Sequence, residues 1–303
     1  MESAAARVAA RRGIAEMVSL DMTGHGKSDH RNSAYYVSDW VAETLQAADE
    51  LFGVGAPFCL LGHSLGAGVA MLTAGTSPSR VARLVLIESL GAMSGAPSKA
   101  PAQLKKSSCR FSGRTASFAS PEEAARRRAL KNMVPDTHFT AEHAGVLATR
   151  GLKLMDASAE AATRVTWSTD PWLLRPSRMY LSVAHTTAFA SAVSARTLIV
   201  VASDGMLRSL LRSHVVRLAG LRSILVFVFF TVISAVVGLA VALLGRRAPK
   251  MLTEMYGKLK YASEALPPVR ALRRCEVVEV ARGGHHCHLA EPHAVAVAIR
   301  SWL

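Results

Sequence analysis

Cysteine is scarce in this 303-residue chain, acidic residues are outnumbered and no internal repeat occurs. The four cysteines, Cys59, Cys109, Cys275 and Cys287, stand far apart with no C-x-x-C pair. That spacing excludes a zinc ribbon or a dithiol redox motif and makes a reduced compartment the default. Asp and Glu number 22 against 36 Lys and Arg, a formal net charge of +14. Such an excess can serve nucleic acid or an anionic membrane surface. Aromatics are only 6% of residues, no basic stripe is interleaved with them and no nucleic-acid motif is present. No nucleic-acid partner is expected. No secretory signal is visible either. The opening MESAAARVAARRG is rich in Ala and Arg, as transit peptides are, but it is short and carries Glu2. The closing SWL is not the peroxisomal S-K-L. Cytoplasmic or membrane-associated residence is the expectation that remains.

Half of the residues are hydrophobic, enough for a substantial core. The length suits one large α/β domain or two small ones. EMVSLDM (16–22), FCLLGHS (58–64), VARLVLIESLG (81–91), ARTLIVVASDG (195–205) and RCEVVEV (274–280) read as strands. Between the early strands lie helical patterns at 35–53 and from Leu65 onward, and EPHAVAVAIRSWL closes the chain as an amphipathic helix. Strands alternating with helices predict βαβ units and a parallel sheet. Residues 92–195 lack strand alternation and read as a helical insertion. In it, Ser120, Pro121, Glu122 and Glu123 make a helix start: a capping hydroxyl, a proline at the first position and two carboxylates on the dipole.

Ser223 to Gly245 is 23 residues without a charge, flanked by arginines at 208, 212, 217, 222, 246 and 247. As a helix it would extend roughly 35 Å, enough to cross a bilayer core. Hydropathy alone therefore predicts a possible transmembrane helix, with membrane contact through 208–247. A single crossing would put its two ends on opposite sides, which a folded domain continuing on either side does not allow. Burial, an interfacial position, a hairpin or translated non-coding sequence are the alternatives.

CLLGHSLGAGVAML (59–72) carries G-x-S-x-G between an apolar strand and a helix. A serine hydroxyl is a poor nucleophile at neutral pH and needs a base within hydrogen-bond reach. The sharp strand–turn–helix puts Ser64 Oγ at the carboxyl edge of the sheet, where the flanking glycines allow close approach. Leu65 would give its backbone N–H to an oxyanion. GGHHCHLAEP (283–292) offers His285, His286 and His288 after the last strand; His285, directly after the glycine pair, is the candidate base. His288 and Glu291 are expected to pack against and cap the helix that starts at Pro292. Three histidines and a cysteine this close could suggest a metal, but adjacent loop residues seldom aim at one ion and no second ligand group is evident. Neither metal nor cofactor is expected. Two carboxylates could orient the base. Asp204 ends the strand before the histidine strand, in the order Ser, Asp, His, and is preferred. Glu88, which ends the strand after the nucleophile's helix, is the alternative.

LDMTGHGKSDHR, LLGHSLGAG, LVLIESLG, STDPWLLRPSRMYLS, VVASDG and GGHHCHLAEPHAVAVAI together resemble the serine hydrolase-like (Kraken-type) branch of the α/β-hydrolases. The elbow and the D-x-x-G-H-G-x-S loop (Asp21 to Ser28) are widespread in that superfamily. TDPWL and G-G-H-H-x-H-L are more specific to this branch. The resemblance implies an α/β-hydrolase fold with a mostly parallel sheet and a helical cap holding Arg150, Gly151 and Trp167 to Trp172. It also implies hydrolysis of a small-molecule acyl substrate (ester, thioester or amide), and an acyltransferase is a weaker variant. Ser64 argues against epoxide hydrolase and haloalkane dehalogenase, which carry Asp there. Two departures are expected to matter. Members of this branch begin with further strands, one leading to an H-G loop that gives a second oxyanion donor. That loop is not found before Met17, and loss of such a donor typically costs on the order of 10²–10³ in turnover. Asp204 and His285 are also separated by an insertion. The expected organisation is a core part at 1–91, the cap at 92–195, core again at 196–205 and 268–303, and the insertion at 206–267. A truncated, non-catalytic or membrane-associated homologue is the competing functional expectation.

Overall fold

The computed structural model describes residues 17–89, 91, 94–108, 116–130, 138–155, 164–205, 207, 237, 239, 242 and 271–303. In chain order the principal elements begin with α1 (Val37–Phe52), β1 (Phe58–His63), α2 (Leu65–Thr76), β2 (Val81–Ile87) and α3 (Ala100–Ser108). Next come β3 (Ser117–Phe118), α4 (Pro121–Leu130), α5 (Ala141–Gly151), β4 (Leu152–Leu154), β5 (Val165–Trp167) and α6 (Val183–Ala192). The chain closes with β6 (Arg196–Ala202), β7 (Cys275–Val280), α7 (Cys287–Ala290) and α8 (Pro292–Trp302).

Strands β1, β2, β6 and β7 form one sheet in that spatial order, and every pair is parallel. The alternation along β2 and β6 explains how the sheet is covered. Leu84, Leu86, Ile199 and Val201 point to one face and pack with Trp40, Val41, Met71 and Leu72 of α1 and α2. Val85, Ile87, Leu198 and Val200 point to the other and pack with Val295, Ile299 and Trp302 of α8. A strand covered on both faces has no polar positions to spare, so VARLVLI and TLIVVA read as near-continuous apolar runs. Helix α2 is sunk in the core, with Ala67 to Ala74 all buried. Cutting Leu86 or Leu198, both fully buried, back to alanine is a change of about 2–5 kcal/mol.

Between β2 and β6 lie α3 to α6 and also a three-stranded antiparallel sheet, β3–β5–β4. Residues 92–195, expected from sequence to be a helical insertion, thus carry short strands beside their helices. Strands of two or three residues are too short to show period-2 alternation in sequence. The helix start at Ser120 is as expected: α4 begins at Pro121, and the Glu123 N–H donates to Ser120 Oγ at 3.3 Å. The strand expected at 16–22 does not form over 17–22. A strand exists only through its ladder, and among the described residues nothing pairs with this segment or with the outer edge of β1.

The expected transmembrane helix and membrane contact are also corrected. Among the described residues no helix is long and apolar enough to cross a membrane. Most of the apolar segment 223–245, like most of 206–267, lies outside the described residues, as do residues 1–16.

Candidate active site

The turn between β1 and α2 holds Ser64 at φ 51°, ψ −115°, a conformation that residues with a Cβ rarely adopt. Its backbone is pinned on both sides: the Ser64 N–H donates to Ile87 O, and Ser64 O accepts from the Ala67 and Gly68 amides. A Cβ at Gly62 would meet the Gly66 carbonyl and the Ala67 amide nitrogen, so the first motif glycine is there for close approach. Gly66 faces open space, and the same steric reason does not extend to it. The Leu65 amide is the first of α2, where a helix leaves its N–H groups free to meet negative charge.

His285 lies on the turn after β7, reached through Gly283 and Gly284, both at positive φ. Its Nε2 is 2.9 Å from Ser64 Oγ. Its Nδ1 faces Glu88 Oε2 at 3.7 Å. Glu88 follows β2 with φ 48°, and its side chain is fully enclosed. The Glu88 N–H donates to Val200 O, and Glu88 Oε1 accepts from the Ala202 N–H at 2.7 Å. Gly205 supplies the room, for a Cβ there would overlap the Glu88 carboxylate.

Asp204, the preferred acid in the sequence, is turned to other partners. Oδ1 accepts from the Gly284 N–H at 3.0 Å, and Oδ2 pairs with Nε2 of His138 at 2.6 Å. Burial would raise its carboxyl pKa, but the Gly284 amide, other local amides and the His138 charge outweigh it and hold it below the ordinary carboxylate range. Asp204 thus ties the turn before His285 to His138. Phe139, next to His138, stacks on His286 with ring centroids 4.1 Å apart, so the two segments also meet through apolar surface.

His63, the variable residue of G-x-S-x-G, escaped notice in the sequence. Its Nε2 is 2.7 Å from the carbonyl oxygen of His285, and its ring lies 4.0 Å from that of His288. Burial first, and the neighbouring histidines second, push the His63 pKa down to about 2. His288 is pushed to about 4 for the same reasons, in the same order. Both are neutral rings near pH 7. No group of three or more ligating side chains among the described residues is placed to hold a metal ion.

The remaining motif residues build the surroundings. Asp21 accepts from the Lys27 N–H and from Arg150 of α5 at 2.8 Å, and these bonds hold its carboxyl below the usual range. Asp170 of TDPWL is fully buried and accepts from Tyr35 Oη (2.6 Å) and from the Trp172 and Asn32 amides. Trp167 packs over Gly151, and Trp172 lies beneath the Arg175 guanidinium at 4.4 Å. Those aromatics have structural neighbours in the cap. Glu291 precedes α8 without a side-chain capping bond, so that expectation is corrected; its carbonyl accepts the Val295 N–H instead.

Residues 6–211, more than half of the chain, match the family model described as the alpha/beta hydrolase fold. The chain belongs to that family. Over 91 residues it is 33% identical to a serine hydrolase-like protein of Dictyostelium discoideum, a match covering 29% of this chain and 24% of that relative. The chain therefore spans about a quarter of that relative's length. Among solved structures, a hypothetical protein from Pseudomonas aeruginosa is similar at a TM-score of 0.64 and 26% identity, with 94% of this chain and 81% of the other covered. The thioesterase domain from the curacin biosynthetic pathway shares the fold at a TM-score of 0.56 and 17% identity, over 93% of this chain and 79% of that one.

Proposed function

We propose that the chain is a serine hydrolase that cleaves a small ester, thioester or amide through an acyl-enzyme, with Ser64, His285 and Glu88 as its charge-relay set. The observation that carries this reading is the placement of the two imidazole nitrogens of His285: one 2.9 Å from a strained serine hydroxyl, the other 3.7 Å from a buried carboxylate. Ser64 Oγ attacks the substrate carbonyl carbon while Nε2 takes the hydroxyl proton. The oxyanion that forms meets the Leu65 N–H and the positive end of α2. Collapse expels the alcohol, thiol or amine, which leaves with the proton from Nε2. Water then attacks the acyl-serine, its proton again passing to His285, and the carboxylic acid is released.

Glu88 takes the place in this reading for which chain order alone favours Asp204. An acid partner must keep a proton on Nδ1 and stabilise the imidazolium as it forms. Glu88 Oε2 has no other hydrogen-bond partner among the described residues, whereas both Asp204 oxygens are engaged elsewhere. A separation of 3.7 Å is long for a hydrogen bond, and such contacts commonly tighten when charge develops on the ring.

Labelling with a fluorophosphonate probe tests the proposal. The wild-type chain is expected to label, Ser64→Ala not at all, and His285→Ala and Glu88→Gln far more slowly. A folded wild-type chain that leaves the probe untouched would sink it.

A further inference from the structure

His63 lies one residue before the nucleophile and on a different nitrogen network from the charge relay. The base sits on a turn whose two glycines, Gly283 (φ 113°) and Gly284 (φ 57°), give the backbone unusual freedom. Such a turn does not define the position of a side chain to a few tenths of an ångström by itself. Two external hydrogen bonds do so. Asp204 Oδ1 holds the Gly284 N–H, and His63 Nε2 lies 2.7 Å from the His285 carbonyl oxygen.

A carbonyl oxygen only accepts, so Nε2 of His63 carries the proton and Nδ1 is bare. We infer that His63 is a positioning residue: its Nε2–H clamps the backbone of the base to the strand that carries the nucleophile, and so fixes the reach of His285 to Ser64. The reference point is what distinguishes this bond from the one made by Asp204. His63 and Ser64 share a peptide unit, so tying His285 O to His63 sets nucleophile and base relative to each other. The Asp204 bond instead sets the turn relative to β6. His288, ring to ring with His63 at 4.0 Å, packs against the clamp. Because burial keeps His63 neutral down to about pH 2, the donor is present throughout the range in which a serine hydrolase works. Misplacement of a catalytic group by about 1 Å can cost roughly 10²-fold, the scale expected for losing the clamp.

The inference rests on the charge-relay reading, so the experiment separates the two. His63→Phe keeps a ring of similar size but removes the donor. His63→Gln places an amide N–H about where Nε2 was. The rate of fluorophosphonate labelling and the turnover of an activated p-nitrophenyl ester are measured for both, with thermal midpoints. The phenylalanine variant is expected to lose about 10²-fold in kcat with KM nearly unchanged, and glutamine to restore the rate to within about fivefold of wild type. A phenylalanine variant that is folded and reacts at the wild-type rate overturns the inference, as does a glutamine variant that is folded and no faster than phenylalanine. ¹⁵N spectra of histidine-labelled wild type give a readout independent of turnover and of any variant's folding. They are expected to show a neutral Nε2–H tautomer at position 63 from pH 5 to 8, and the Nδ1–H tautomer there would also overturn the clamp. An unreactive wild type with the Nε2–H tautomer would instead remove the charge relay and leave the hydrogen bond standing.

Discussion

Oε2 of Glu88 and Nδ1 of His285 lie 3.7 Å apart at the carboxyl edge of the sheet, both buried and neither with another hydrogen-bond partner among the described residues. A buried acceptor and a buried donor left unsatisfied each cost about 1–3 kcal/mol, and closing the gap by well under 1 Å would satisfy both. The pair separates Glu88 from Asp204 by experiment. Glu88→Gln should lower kcat by about 10³–10⁴-fold, since an amide there favours the wrong tautomer of the base. Asp204→Asn keeps an oxygen for the Gly284 N–H and should stay within about tenfold of wild type. Steady-state turnover of an activated ester decides. A larger loss for Asp204→Asn than for Glu88→Gln reverses the assignment.

Gly205 extends the same test to a residue with no polar atom in its side chain. A methyl there collides with the Glu88 carboxylate, which must swing away from His285 or be pushed off the Ala202 amide. Gly205→Ala is expected to lower kcat by about 10–10²-fold with little change in KM. In a Glu88→Gln background the same substitution should cost much less, because both changes act through one group. Additive losses in the double-mutant cycle would show that Gly205 acts by another route.

Acid should weaken the fold well before its carboxylates titrate. His63 and His288 have folded pKa values near 2 and 4, against 6.5 in an unfolded chain. The folded state therefore disfavours the protonated form. Stability is full above pH 6.5 and falls as pH drops from there toward 4, where the unfolded chain takes up protons that the folded one refuses. Each ring contributes a slope of about 1.4 kcal/mol per pH unit in that window. Urea midpoints at pH 7, 6 and 5 should fall accordingly, and His63→Phe should reduce the slope. Equal midpoints across this range would contradict the buried, neutral state of both rings.

Asp170 ties the cap to the loop before α1. Its carboxylate collects the Tyr35 hydroxyl and the Trp172 and Asn32 amides, and burial pushes the Tyr35 phenol up to about 12. Asp170→Ala strands those donors and should destabilise by about 2–4 kcal/mol, while Tyr35→Phe, which removes one bond, should cost about 1–2. Thermal unfolding of both variants measures the ranking, and equal midpoints for Asp170→Ala and wild type would contradict it.

Which parts of this were legible in sequence follows from how local their causes are. The elbow was readable because an apolar strand, Gly62, Ser64 and an apolar helix are consecutive. The parallel sheet was readable because its strands alternate with helical patterns along the chain, as βαβ units do. Choosing between Asp204 and Glu88 was not a local matter. Both residues end strands at one sheet edge, and only the fold shows where each side chain points. The space left by Gly205 and the positive φ of Glu88 have no sequence signature. Met17 to Met22 carry a strand's composition but find no ladder among the described residues, while β3, β4 and β5 find a ladder over too few residues to show alternation. His63 was hidden by its own motif, in which the second position is free to vary.

Ser64 and Glu88 both hold backbone angles that glycine would adopt without strain. Strain of this kind is worth of order 1–3 kcal/mol per residue, against a typical total stability of about 5–15. Relief of that strain favours glycine at position 64, whereas at position 88 it would also remove the buried carboxylate that holds the Ala202 N–H. Ser64→Gly should melt later than wild type, and the size of that gain would measure how much robustness this chain forgoes to keep a hydroxyl at that turn.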